Sequence, residues 1–86
     1  MTVEVTLYRR HLCGLCDDAL FELQALSREM QFTIVERDID ADVDLRARYD
    51  EIVPVIAVGD TDIAHAPIDF AELRDLLEWA LGNAAP

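Results

Sequence analysis

The chain contains no lysine. All seven of its basic residues are arginine, set against 18 aspartates and glutamates, for a formal net charge of −11. Nucleic acid and anionic membrane surfaces both require a basic face, so this balance weighs against either as a partner. Long hydrophobic runs are also missing. No stretch of about 18 consecutive apolar residues occurs, so no membrane span is expected. Glycine and proline number three each, and there is no Gly/Ser-rich linker, internal repeat or low-complexity segment. With 86 residues the chain is too short for two ordinary domains, and residues 1–86 are expected to form one. Disorder is excluded by a hydrophobic content of 52%. Cysteine is scarce: Cys13 and Cys16 are the only two. A bridge between them closes a loop too small to staple a fold, so the pair is expected to serve chemistry. The first residues show no basic stretch followed by an apolar one, so no secretory leader is expected and the cytoplasm is the default location.

What is present is a close alternation of strand and helix patterns. Residues 3–8 alternate apolar and polar and are rich in β-branched side chains, which predicts a strand. Leu15, Ala19, Leu20, Leu23, Leu26 and Met30 then recur at helical spacing, with Asp17 and Asp18 at the positive end of the helix dipole. Residues 32–39 read as a second strand. Asp40 or Asp42 can cap a short helix over 43–49. Residues 53–58 form a nearly all-apolar third strand, and Gly59-Asp60 fits a type II′ turn into a fourth at 61–66. Asp69 with Glu72 marks the start of a last amphipathic helix. Gly82 is its expected C-terminal cap, and residues 83–86 are expected to fray. The order is β-α-β-α-β-β-α. Two crossovers predict parallel pairing and the hairpin predicts one antiparallel edge. Trp79 and the phenylalanines are expected in the core or at its edge.

Cys13-Gly14-Leu15-Cys16 falls at the first strand-to-helix junction. A sulfur there meets free backbone N–H groups and the helix dipole, both of which favour a thiolate. The second sulfur lies one turn further on, so a disulfide can open and close over an unmoved backbone. Two other readings stay open. One is an inert buried pair. The other is a metal site, with His11, Cys13 and Cys16 as three ligands where zinc takes four; an iron–sulfur cluster would need a second subunit. Asp17 and Asp18 push the thiol pKa up, while the helix terminus, Arg9, Arg10 and a protonated His11 push it down. The expected balance for Cys13 lies below the free value of about 8.5.

Val53-Pro54-Val55 is the second signal. Proline is out of place inside a buried strand, unless the Val53–Pro54 bond is cis and the ring faces the thiols. A trans proline on an edge strand is the alternative. Asp38-x-Asp40-x-Asp42-x-Asp44 imitates the opening of a calcium loop. However, Val43 stands where that loop needs glycine and Tyr49 where it needs glutamate, so a solvated connection with capping aspartates is expected.

Residues 3–81 resemble a small thioredoxin-fold protein of the glutaredoxin-like group. The resemblance rests on Val5-Thr6-Leu7-Tyr8, Cys13-Gly14-Leu15-Cys16, Asp38-Ile39-Asp40 and Val53-Pro54-Val55. Cys-x-Leu-Cys followed by Asp17-Asp18-Ala19 is similar to the pattern of a bacterial family of short glutaredoxin-like proteins. The resemblance implies a thioredoxin-like α/β fold, with a four-stranded mixed sheet flanked by helices, and a thiol–disulfide oxidoreductase. In that reading Cys13 attacks a substrate disulfide, Cys16 resolves the mixed disulfide, and the backbone of Val53 pairs with the substrate chain. The implied substrate is a disulfide-bearing protein or a low-molecular-weight thiol, with no bound cofactor or metal. The implied reductant is glutathione or a thioredoxin reductase, and the implied setting is cytoplasmic redox homeostasis. Separately, the strong acidity favours a monomer by self-repulsion. Arg10 matches a basic residue with which many glutaredoxins hold glutathione. Leu15 replaces their tyrosine, and residues 64–69 replace their Gly-Gly-Asp, with Asp69 keeping the acidic role; both departures weigh against glutathione. The competing classes are a non-enzymatic binding or redox-sensing module and a metal or iron–sulfur carrier. Seven acids between positions 36 and 51 lie apart in sequence from the thiols. Arg9 and Arg10 therefore predict a basic patch beside Cys13 for an anionic substrate or a disulfide-bearing partner.

Overall fold

A computed structural model describes residues 3–83 of the chain. The elements are β1 (Val3–Arg9), α1 (Gly14–Met30), β2 (Phe32–Asp38), α2 (Val43–Tyr49), β3 (Val55–Val58), β4 (Thr61–His65) and α3 (Phe70–Asn83). This is the order that the periodicities predict. The strands form one sheet in the order β2-β1-β3-β4. β1 runs parallel to β2 and antiparallel to β3, and β3 runs antiparallel to β4.

The second crossover departs from expectation, because it does not yield a parallel pair. Lengths explain the difference. The seven residues of β2 span about 23 Å. The 17 residues of α1 rise about 25 Å and carry the chain back along the sheet. The seven residues of α2 rise only about 10 Å. β3 therefore begins at the end of the sheet where β2 stops, with Val55 opposite Tyr8.

Strand alternation sorts the core into two layers. Val5 and Leu7 of β1 and Ile56 and Val58 of β3 pack with Leu23 and Leu26 of α1 and Leu73 and Leu77 of α3. On the opposite face Tyr8 and Val55 pack with Ile39, Leu45 and Tyr49 from the β2–β3 connection. Full burial of each leucine or isoleucine contributes about 1.5–3 kcal/mol. β3 is buried at all four positions because it is central and covered on both sides.

Several local features differ from expectation. β2 stops at Asp38, whose side chain caps an unpredicted 3-10 turn over Ile39–Ala41. Asp42 caps α2 by accepting the N–H groups of Asp44 and Leu45. Pro54 precedes β3 instead of lying within it. In the hairpin Gly59 takes φ +60° while Asp60 does not, as a type II′ turn requires. Ile63 is an extra residue in β4, a bulge that the sequence did not signal. α3 runs through Gly82 to Asn83, so Gly82 is not a cap; the rest of the expected frayed tail lies outside the described residues. Phe21 and Trp79 are 71% and 63% exposed, not core. Phe21 projects opposite the stripe that α1 buries through Ala19, Leu23 and Leu26. Trp79 lies off the stripe of Leu73, Leu77 and Ala80.

Candidate redox site

Parallel pairing of β1 and β2 sets their C-terminal ends side by side, with Arg9 opposite Asp38. The loop into α1 leaves from that end, and the β2–β3 connection both starts and finishes there. Leu12 adopts the left-handed conformation, φ 53°, and turns the chain into the helix. Cys13 is extended at the N-cap, and its Sγ accepts the Cys16 N–H at 3.1 Å. Its carbonyl accepts the Asp17 N–H at 3.0 Å. The two sulfurs are joined in a disulfide, with Cα atoms 5.2 Å apart.

The pair is asymmetric. Cys13 is partly exposed, whereas Cys16 is 0% exposed and points into the protein. Once the bond is reduced, an N–H donor at a helix terminus stabilises a thiolate at Cys13. Cys16 is enclosed on all sides, so only Cys13 is open to an incoming partner. Gly14, next to Cys13, faces open space.

The Val53–Pro54 bond is cis, as expected from the sequence, and Pro54 is fully buried. A second cis bond at Ala66–Pro67 carried no sequence signal. The Ala66 N–H donates to the carbonyls of both Ile52 and Pro54 at 3.1 Å, which ties the two proline segments together. Val53 is half-buried, and its N–H and C=O make no backbone hydrogen bond among the described residues. Asp69 is spent on structure: it caps α3 by accepting from Ala71 at 3.0 Å and Glu72 at 3.3 Å. It borders a groove with Ile63, His65, Pro67, Ile68 and Leu76.

Arg10 is not a free cation. Its Nε and a terminal nitrogen hold both oxygens of Asp40 at 3.0 and 3.1 Å, and it also binds the Asp50 carboxylate and, at 3.1 Å, the Asp50 carbonyl. Arg46 reaches Asp40 as well, at 3.2 Å. Hydrogen bonding to Asp40 and then Asp50 raises the Arg10 pKa further. The Arg10 hydrogen bond, with a smaller contribution from Arg46, holds the Asp40 carboxyl below the usual range against partial desolvation. Arg9 meets Asp17 at 2.7 Å and Glu36 at 3.6 Å. The basic patch foreseen beside Cys13 is therefore neutralised, by Asp17 nearby and by Glu36, Asp40 and Asp50, which are remote in sequence. Asp40 and Asp50 lie 30 and 40 positions from Arg10. The available signal was topological: in a parallel pair, the residues that follow each strand meet.

Behind this layer Tyr8 and Tyr49 stack with ring centroids 4.7 Å apart. The Tyr49 hydroxyl donates to Asp62 at 3.0–3.1 Å, and Arg48 lies 5.0 Å over the Tyr49 ring. Burial, followed by the Asp62 contact, raises the Tyr49 pKa. Of the calcium-like run, Asp38 and Asp42 act as caps and Asp40 binds arginines. Among the described residues, no three or more His, Cys, Asp or Glu side chains are grouped to hold a metal ion.

A four-stranded mixed sheet opened by a β-α-β unit, with Cys-x-x-Cys heading the first helix and a cis proline before β3, defines a thioredoxin-fold protein with a redox-type cysteine pair. More narrowly, the chain belongs to the glutaredoxin-like domain family (DUF836), whose profile matches residues 4–78. A structural-genomics target protein from X. campestris is 33% identical, with a TM-score of 0.74 over 95% of this chain and 99% of that one. A Nitrosomonas europaea protein solved by NMR is 23% identical, with a TM-score of 0.78 over 92% and 91%. Thioredoxin 1 from Thermosipho africanus shares the fold at 15% identity, with a TM-score of 0.67 over 92% and 94%. No curated protein sequence matches the chain significantly. Among the described residues, no helix is long and apolar enough to cross a membrane.

Proposed function

We propose that the protein is a thiol–disulfide oxidoreductase in which Cys13 is the nucleophile and Cys16 the resolving thiol. The observation that carries this reading is the asymmetry of the pair: an accessible sulfur that accepts an N–H at a helix N-terminus, bonded to a fully buried one. In the reducing direction the Cys13 thiolate attacks one sulfur of a substrate disulfide. That bond breaks, a mixed disulfide forms, and the other substrate sulfur leaves as a thiolate that takes up a proton. The Cys16 thiol gives up its proton and attacks the Cys13 sulfur. The mixed disulfide breaks, the Cys13–Cys16 bond forms, and the second substrate thiol departs. Two electrons pass to the substrate, and a thiol or reductase donor restores the dithiol. The Val53 backbone, which makes no backbone hydrogen bond among the described residues, offers an edge to which the extended substrate chain can add.

Arg10 and Asp69, which the family resemblance puts on glutathione, are committed here to Asp40, Asp50 and the α3 cap. With Leu15 at the tyrosine position, these commitments favour a protein disulfide as substrate and a reductase as donor. This activity fits a monomer working in the cytoplasm in redox homeostasis.

The test is steady-state reduction of insulin and of hydroxyethyl disulfide, with glutathione plus its reductase or with thioredoxin reductase as donor. Turnover with at least one donor, lost to background in Cys13→Ser, is expected. Full turnover in Cys13→Ser, or none in the wild type with either donor, refutes the reading and favours a binding module.

A further inference from the structure

We propose that the partner segment docking at Cys13 is cationic and carries an apolar residue beside its cysteine, so that the surface around the disulfide selects basic protein segments over small anionic disulfides. This inference rests on the disulfide-exchange reading and names its substrate class.

Two observations carry it. The first is charge. The β1–β2 register and the β2–β3 connection bring the acids of 36–51 to the end of the sheet that holds Cys13. There Arg9, Arg10 and Arg46 meet four carboxylates: Asp17, Glu36, Asp40 and Asp50. Asp18, exposed on the first turns of α1, adds a fifth carboxylate that no arginine faces among the described residues. Those three guanidiniums are consumed internally. With Arg37 and Arg48, unpaired among the described residues, included, residues 9–18 and 36–51 still set nine carboxylates against five arginines, so this end keeps a net negative charge. A surface of that sign steers cations inward and repels anions.

The second observation is apolar. Leu12, immediately before Cys13, is fully exposed, and Leu15, between the cysteines, is 60% exposed. Leu12 is also held at φ 53°, in the left-handed region that leucine rarely adopts. Two leucines in water on either side of the reactive sulfur, inside a charged rim, have the anatomy of a docking surface with an apolar centre and a polar edge. A basic segment bearing its own apolar residue complements both parts. Glutathione disulfide, small and anionic, complements neither.

The experiment compares the rates at which reduced protein exchanges with two disulfide-bearing peptides at pH 8. The peptides share a leucine beside the cysteine and differ in Lys/Arg or Glu flanks. Glutathione disulfide and uncharged hydroxyethyl disulfide complete the set. At low salt (about 10 mM) the basic peptide is expected to react at least about tenfold faster than the acidic one. The ratio should collapse toward unity near 1 M salt, where the screening length falls to about 3 Å. Asp18→Asn should shrink the ratio. Leu12→Asn, which keeps a residue tolerant of the left-handed conformation, should slow both peptides by a larger factor than it slows hydroxyethyl disulfide. Equal rates for the two peptides at low salt, or preference for the acidic peptide or glutathione disulfide, overturn the proposal while exchange itself stands. Failure of all four disulfides to react overturns both together.

Discussion

Cys13 and Cys16 differ by three positions and by almost everything in their surroundings. One sulfur sits at the helix N-cap, partly in solvent and hydrogen-bonded to a backbone N–H; the other is sealed in the protein. The cysteine pair and the cis Val53–Pro54 bond were legible in the sequence, because a spacing of three and a proline among strand formers are local signals. The contacts of Arg10 were not, because its partners lie 30 and 40 positions away and only the fold brings them near. The asymmetry leads to a measurable consequence. In the reduced protein the thiolate absorbance of Cys13, read in Cys16→Ser, should titrate with a midpoint below the free value of about 8.5. The helix terminus and N–H donor lower it, while Asp17 is compensated by Arg9. A midpoint above about 8.5 would show that the acidic rim outweighs the helix terminus.

Among the elements, order and type followed from periodicity, but the direction of β3 did not. A seven-residue helix cannot retrace a seven-residue strand, so the length of α2 held the information that the apolar pattern lacked. That geometry lets Arg10 clamp the loop before α1 to the β2–β3 connection through Asp40 and Asp50. The Asp40 carboxyl is held below its usual value, so its ion pair adds stability above about pH 4, the unfolded value, and loses it as pH falls toward the folded one. Thermal melts of wild type and Arg10→Gln should therefore converge as pH falls below about 4; a gap that stays constant there would put the effect elsewhere. Asp69→Ala should cost about 1 kcal/mol in urea unfolding by removing the α3 cap. Leu23→Ala should cost about 2–5 kcal/mol because Leu23 is fully buried between helix and sheet. A larger loss from Asp69→Ala than from Leu23→Ala would contradict the division of labour between cap and core.

For the whole molecule, a net charge of −11 on 86 residues was plain from composition, but its placement was not. Read along the chain, the acids and the thiols fall apart; in the folded sheet they share one end. The exposed Phe21 and Trp79 were missed because aromatic bulk was read as core without regard to helical position; Phe21 already lies opposite the stripe that the sequence predicts for α1. What the fold, charge and cysteine pair together support is exchange chemistry that starts at one sulfur only. The most direct test is a single-turnover reaction of reduced Cys16→Ser with a peptide disulfide, followed by peptide mapping under non-reducing conditions. The account requires a covalent adduct on Cys13 that dithiothreitol releases, while the wild type under the same conditions releases free peptide and gains the Cys13–Cys16 bond. No adduct on Cys16→Ser, or an equally rapid adduct on Cys16 in Cys13→Ser, would contradict it.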